Sequence, residues 1–149
     1  MRAKRSFVRR HSLSLVTCFI LGSWIVLYVA SDPGTHWGSF FGNAIADWSG
    51  VLVTVIATKF WYEKGSAESR QPREKRGFGI RKVLRDHSLT IFLVSTGIVW
   101  VIAFARMNPQ GKWGEVVGNI VSEWTQTLGL VLLTKRLVEP RSKESAPGG

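Results

Sequence analysis

Two carboxylates interrupt long apolar stretches of the sequence, and each follows an amide side chain by four residues. Asp47 follows Asn43, Glu123 follows Asn119, and Gln126 extends the second series. Residues four apart share one face of a helix, so each amide can hydrogen-bond its acid. A charged group at the centre of a bilayer costs about 3 kcal/mol or more, so both acids should face protein or water.

Three interpretations of these acids stay open from the sequence. Polar side chains can fix how helices pack against each other, with at least one acid neutral. Two nearby carboxylates can instead share a proton in a proton- or cation-linked path. The acids can also lie near the outer headgroups and do little. The first interpretation is favoured, because no series of further charged residues leads from the acids to either side.

The sequence aligns with itself, without a gap, when it is shifted by 76 residues. Six of the 7 tryptophans have a counterpart in this alignment, and only Trp61 has none. Chance alone gives about one identity in fifteen to twenty positions at ordinary composition. We therefore interpret the chain as two copies of one unit. The identities include His11 and His87, Trp24 and Trp100, Pro33 and Pro109, Trp37 and Trp113, Thr58 and Thr134, Lys59 and Lys135, Glu63 and Glu139, and Ser66 and Ser142.

Each copy holds two apolar stretches long enough to cross a bilayer. About 20 helical residues span a hydrocarbon core of about 30 Å. The first stretch of each copy is uncharged, and an acid interrupts the second. The sequence predicts transmembrane helices over about 12–31, 39–61, 88–106 and 115–137. The expected fold class is all-α, an integral membrane four-helix bundle built from two parallel helical-hairpin repeats.

Basic residues set the expected orientation of these helices. The formal net charge is +10, and Lys and Arg number five in residues 1–11, eight in 62–86 and four from Lys135 onward, against two in the hairpin loops. Such an excess marks the cytoplasmic side. The predicted organisation is a basic cytoplasmic N-terminus (1–11), repeat 1 (12–62), a basic cytoplasmic linker (63–86), repeat 2 (87–138) and a disordered cytoplasmic tail (139–149).

The first apolar stretch follows five basic residues, which is also typical of a signal peptide. Its counterpart lies in the middle of the chain, where no signal peptide can act, so we expect it to be retained as a helix.

The lipid bilayer is the first expected partner. The linker would lie against anionic headgroups, which attract each basic residue near the surface by about 1 kcal/mol. A second copy or another membrane protein is a further candidate. Nucleic acid is not expected, because no basic and aromatic surface remains once the helices are in lipid.

Small residues form a ridge on the second helix of each copy. Gly42, Ala46 and Gly50 follow one another at intervals of four, and the second copy keeps Gly118 and Ser122. This spacing allows two helix backbones to approach closely, so these residues are predicted to pack helices together.

Motifs for catalysis or metal binding are missing from the sequence. Cys18 is the only cysteine. His11 and His87 stand where each copy enters the membrane, too far from other ligand types to suggest a metal. No nucleophile stands beside a base, and no phosphate-binding loop occurs. We therefore expect no enzyme activity, no cofactor and no metal.

A lysine and a glutamate four residues apart close the second helix of each copy. These are Lys59 with Glu63 and Lys135 with Glu139. The spacing places each pair on one helix face, and solvated helix ends are expected there rather than a site.

The second half of each copy resembles a motif in a family of small bacterial integral membrane proteins of unknown function. That motif reads acid-aromatic-x-Gln, then an apolar run, then Gly-Ser-x-Glu-Ser. The second copy has Glu123-Trp124-Thr125-Gln126, and the first has Gly65-Ser66-Ala67-Glu68-Ser69. The copies depart from it at Gly50, which replaces the glutamine, and at Arg141, which replaces the glycine. The resemblance implies a protein of the bacterial cytoplasmic membrane and supplies no activity.

Together these patterns favour a non-enzymatic membrane protein that acts through helix packing with itself or a partner. The alternative is a small proton- or cation-coupled transporter that uses Asp47 and Glu123.

Overall fold

The computed structural model describes residues 7–69 and 79–137, without the side chains of Arg9 and Arg10. Within these ranges the regular structure is entirely helical, which confirms the predicted all-α class. The start of the N-terminal segment, the middle of the linker and the tail at 139–149 lie outside the described residues.

Four of the five helices in this part of the chain are long and apolar enough to cross a membrane. The fifth, α3, is short and follows the undescribed part of the linker. The helices are α1 (Phe7–Ala30), α2 (His36–Phe60), α3 (Ile80–Asp86), α4 (Ser88–Arg106) and α5 (Lys112–Leu133).

The long helices form two hairpins that meet through their second members. α1 packs against α2, α4 packs against α5, and α2 and α5 pack against each other. We call the end that holds residues 31–35 and 107–111 the loop end. The opposite end, where α1 and α4 begin and α2 and α5 end, is called the basic end.

Both hairpin turns are built on a residue whose side chain accepts a hydrogen bond from a backbone N–H two residues later. Asp32 Oδ1 accepts from Gly34 N at 2.9 Å, and Asn108 Oδ1 accepts from Gln110 N at 3.0 Å. Such local acceptors compete with helix formation and favour a turn. They therefore explain why α1 and α4 end just before these residues.

A glycine in the first turn of the next helix lets the chain fold back closely in both hairpins. A Cβ on Gly38 would overlap the carbonyl oxygen of Asp32, and one on Gly114 would overlap that of Asn108. In each hairpin the backbone of the turn thus packs directly against the first turn of the helix that follows.

The core lies between α2 and α5 and is extended by the flanking helices. Near the middle, Ala46 is fully buried and packs with Tyr28 and Trp124. Towards the basic end, Ala57, Leu89, Leu93 and Val131 form a second cluster. Much of the outer surface of α1 and α4 is exposed and apolar, as expected of helices that meet lipid.

The predicted packing residues meet different partners. Gly42 lies against the Tyr28 ring, with a would-be Cβ 3.1 Å from Cε2, and Gly118 lies similarly against Phe104. Gly50 lies against Glu123. Close approach of a helix to a ring or carboxylate is possible at these positions because the glycine has no side chain.

The chain leaves the helix before Glu63, contrary to the expected Lys59–Glu63 pair on one helix face. α2 ends at Phe60, and Trp61 is extended, with φ −114 and ψ 155. Glu63 therefore turns away from Lys59 and contacts the other hairpin. Tertiary contacts have replaced a weak local pair.

Candidate functional site

Two groups of polar side chains are candidates for function, one halfway along the bundle and one at its basic end. The first, here called the polar face, consists of Asn43, Asp47, Asn119, Ser122 and Gln126. Its members recur at intervals of three or four on α2 and α5, so they lie along one side of each helix.

The two asparagines join the halves of the polar face. Asn119 Nδ2 donates a hydrogen bond to Asn43 Oδ1 at 2.6 Å. Asn43 therefore bonds across to α5 instead of bonding Asp47 on its own helix, as the spacing had suggested. The structure brings these two predicted site residues together.

Asp47 stands near the middle of α2 and is exposed. Within residues 7–69 and 79–137 it has no hydrogen-bond or ion-pair partner. A carboxylate at this position in a membrane-crossing helix would meet hydrocarbon unless another surface covers it.

Glu123, the counterpart acid on α5, has a different environment. It is half-buried, with Oε2 3.1 Å from the position that a Cβ on Gly50 would take. Gln126 Nε2 donates a hydrogen bond to Glu123 Oε1 at 3.3 Å. The two acids therefore do not pair with each other, and only Glu123 is held within the bundle.

The small residue Ser122 belongs to this exposed surface. Its side chain faces outward between Asn119 and Gln126, whereas Ala46 and Gly50 are buried. The predicted packing residues are thus divided between the interior and the polar face.

The second group, the Glu63 cluster, consists of Glu63, Ser66, Ser69, His87, Thr90, Thr134 and Lys135. Its centre is the Glu63 side chain, which is 0% exposed. Glu63 Oε1 pairs with Lys135 Nζ and lies 2.6 Å from His87 Nδ1. Glu63 Oε2 accepts a hydrogen bond from Thr90 N at 3.1 Å. One carboxylate that follows the first hairpin thereby contacts the start of α4 and the residue Lys135 just after α5.

The rest of the Gly-Ser-Ala-Glu-Ser segment holds this carboxylate in place. Ser69 Oγ accepts from Glu63 N at 2.9 Å and donates to Glu63 O at 3.0 Å. Ser66 Oγ lies 3.1 Å from Thr134 Oγ1 at the end of α5. Gly65, with φ +85, supplies the tight turn between these contacts, since residues with side chains rarely take that conformation.

Electrostatics favour the ionised form of Glu63. Burial by itself raises the pKa of the Glu63 carboxyl, but the hydrogen bonds from Lys135, Thr90 and His87 outweigh it, so the pKa lies below its ordinary value. The cluster therefore holds a buried anion between basic groups, which is an arrangement suited to locking two hairpins together.

The sequence pointed to the polar face but not to this cluster. Its available signals were the repeated Ser-x-Glu-Ser pattern and the histidine and lysine that recur in both copies. In the part of the chain that the structure describes, no three His, Cys, Asp or Glu side chains come together as metal ligands would.

The fold and the two groups define a class: a helical protein with four helices fit to cross a membrane, joined by polar contacts between hairpins. No protein-family model, curated protein or solved structure matches the chain.

Proposed function

We propose that the chain is a non-enzymatic integral membrane protein that assembles with a second copy of itself through the polar face. Its membrane is the bacterial cytoplasmic membrane, with the basic end and both termini in the cytoplasm. The family resemblance and the distribution of Lys and Arg support this location and orientation.

The proposal includes two parallel repeats related by a pseudo-twofold axis along the membrane normal. Contacts between α2 and α5 support it, because they follow the same order along both helices: Gly42 with Val116, Asn43 with Asn119, and Gly50 with Glu123. The matching turns at Asp32 and Asn108 support it as well.

The observation that carries the proposal is the exposed, unpartnered Asp47 near the middle of a candidate span. Leaving a charged group at that depth in lipid costs about 3 kcal/mol or more. A protein surface that donates hydrogen bonds to Asp47 removes this cost, so association with such a surface is favoured.

A second copy has the chemistry that the polar face needs. Asp47 offers acceptors, while the Ser122 hydroxyl and the Gln126 amide offer donors on the neighbouring helix. A twofold interface places the same patch against itself, so the Asp47 of each copy can meet the donors of the other. Ser122 is small enough to allow the close approach that such bonds require.

The test measures subunit number in lipid nanodiscs or vesicles by counting photobleaching steps of a single label. The parent protein should be dimeric, and Asp47→Leu with Ser122→Leu should be largely monomeric. Ile98→Leu, at an exposed position on α4 outside the polar face, is the matched control and should stay dimeric. A monomeric parent at every protein-to-lipid ratio, or a dimer that survives the polar-face variant, would overturn the proposal.

Transport is the competing outcome, and flux assays distinguish it. Proton or cation flux in vesicles that is abolished by Asp47→Asn and Glu123→Gln would replace assembly as the role of the acids. Absence of flux in a dimeric parent supports the assembly function.

A further inference from the structure

We propose that a small pocket at the basic end holds water, and that Glu123 gains and loses its proton through this water from the solution at that end. The pocket lies between α2, α4 and α5 and has a volume of about 60 Å³. A water molecule needs about 10–15 Å³ of such space, so the pocket has room for more than one. Water access to Glu123 is independent of assembly through the polar face.

The pocket lies near the ends of the helices that form it. Thr58, which lines it, stands two residues before the last residue of α2, and Leu89 is the second residue of α4. Glu68, a half-buried acid in the segment after α2, lines the pocket as well. An ionisable side chain thus adjoins the pocket on the side that is closest to the aqueous phase.

Three threonine hydroxyls supply the polar partners that a bound water needs. Thr54, Thr58 and Thr127 all line the pocket. Thr58 Oγ1 donates to Thr54 O at 2.6 Å, and Thr127 Oγ1 donates to Glu123 O at 3.0 Å, so each keeps lone pairs that can accept from water. The Thr54 hydroxyl has no hydrogen-bond partner among the described residues, and a water in the pocket satisfies it. Buried waters make about three such bonds each.

The inner side of the pocket lies one helical turn from Glu123. Glu123 Oε2 approaches Gly50, and Thr127 and Thr54 stand four residues after Glu123 and Gly50, respectively. Four residues rise about 6 Å along a helix. Side chains lean towards the start of their helix, as the bond from Thr127 to Glu123 O shows, and this shortens the gap. A short row of water molecules can therefore connect the pocket with the carboxylate.

Towards the loop end, the same helix interface is closed by apolar side chains. Ala46, Val116 and Ile120 are buried there and belong to one packed cluster. Such packing offers water neither space nor hydrogen-bond partners. In the described part of the chain, access to Glu123 along this interface is therefore one-sided, whereas a transport path needs access from both ends.

The surroundings of Glu123 leave it able to exchange a proton. Within the described residues its carboxylate bonds only to the uncharged Gln126 amide. A hydronium ion in the pocket gives its proton to the carboxylate, which leaves water and a neutral carboxylic acid, and the reverse step releases the proton. The titratable groups on the helices packed against α5 are His36, Asp47 and Lys59 on α2 and Arg106 on α4, and α5 itself carries Lys112 and Glu115 at the loop end.

The experiment follows hydrogen–deuterium exchange of the Glu123 carboxyl by infrared spectroscopy at acid pH. The full chain is held in lipid nanodiscs with one copy per disc, and the band of protonated Glu123 is identified by its loss in Glu123→Gln. In the parent, this band should shift at once on transfer to heavy water. Thr54→Val with Thr127→Val removes two hydroxyls, and Thr127→Leu fills the pocket, so each should slow the shift by about tenfold or more.

Thr125→Val is the matched control for these variants. Thr125 is exposed on the same helix and does not line the pocket, and its hydroxyl donates to Val121 O just as that of Thr127 donates to Glu123 O. The control should exchange as fast as the parent. Helix content equal to that of the parent, measured by circular dichroism, shows that each variant folds.

Several results would overturn the inference. These are slow exchange in the parent, exchange in both pocket variants as fast as in the parent, or equal slowing by Thr125→Val. Absence of a protonated Glu123 band at the lowest pH at which the chain stays folded would do the same. Slowing by Ser122→Leu without slowing by the pocket variants would assign water access to the polar face instead. Because each readout uses single copies, failure of dimerisation leaves this test intact.

Discussion

Asn43 and Asn119 stand 76 residues apart and bond directly to each other, with Nδ2 of Asn119 2.6 Å from Oδ1 of Asn43. An amide carries both a donor and an acceptor, so two asparagines can pair with each other. Two ionised carboxylates cannot, because they repel at short range. One turn further along, the acids Asp47 and Glu123 do not pair: Asp47 is exposed, and Glu123 is half-buried against Gly50.

The asparagine pair should act as one unit in stability measurements. Asn43→Ala and Asn119→Ala each remove the same hydrogen bond, so each should destabilise the protein by about 0.6 kcal/mol, the average for such bonds between membrane helices. The double variant should lose little more than either single one. Unfolding by denaturant in mixed micelles measures the three values, and full additivity would show that the bond contributes nothing.

Substituting the buried acid should weaken the contact between the two hairpins. Glu63→Gln keeps the shape of the side chain but removes the charge that faces Lys135 and His87, so we expect a loss of about 1–3 kcal/mol. Glu115→Gln, at an exposed position in the first turn of α5, should change stability far less. Equal effects of the two variants in thermal unfolding would contradict a special role for Glu63.

Lowering the pH should remove the stabilisation that the ionised Glu63 side chain provides. The pKa of Glu63 is lowered in the folded protein, because hydrogen bonds from Lys135, Thr90 and His87 outweigh burial. Its contribution is therefore complete above the ordinary glutamate pKa of about 4.3 and is lost as pH falls below that value towards the folded pKa. The Tm difference between the parent and Glu63→Gln should stay constant above about pH 5 and shrink below about pH 4. A difference that grows on acidification would contradict this sign.

The glycines in the first turns of α2 and α5 should not tolerate a methyl group. Gly38→Ala and Gly114→Ala place a Cβ against a backbone carbonyl, and forcing such atoms apart costs about 1–3 kcal/mol. Gly22→Ala and Gly129→Ala are matched controls, since a Cβ there meets nothing within 4 Å and alanine favours a helix. In thermal unfolding, the apparent Tm of Gly38→Ala and of Gly114→Ala should lie below that of the parent. The apparent Tm of the two controls should equal or exceed that of the parent.

The helices could be predicted from the sequence because their signal is local. Uncharged runs of about 20 residues need no knowledge of the rest of the fold, and the first span of each copy was expected for that reason. An acid interrupts the second span of each copy, and there the internal repeat supported the prediction. The turns also depend on local residues, since Pro33 and Pro109 and the adjacent Asx residues act within a few positions.

The partners of individual polar side chains could not be predicted in this way. Spacing placed Asn43 beside Asp47 and Lys59 beside Glu63, which are the neighbours that a single helix provides. In the structure Asn119 donates a hydrogen bond to Asn43, and Glu63 forms an ion pair with Lys135. Both are contacts between hairpins. Such contacts depend on how α2 and α5 pack, and a helical periodicity carries no information about that.

The contacts of Lys112 oppose movement of one hairpin relative to the other at the loop end. Its ammonium donates to the carbonyl oxygens of Val29 and Ser31 at 3.1 and 2.7 Å, and its own carbonyl accepts from the Tyr28 hydroxyl. The loop end is thus fastened between hairpins, as Glu63 fastens the opposite end. Rocking one hairpin against the other, as many carriers do to expose a substrate first to one side and then to the other, would have to break polar bonds at whichever end opened.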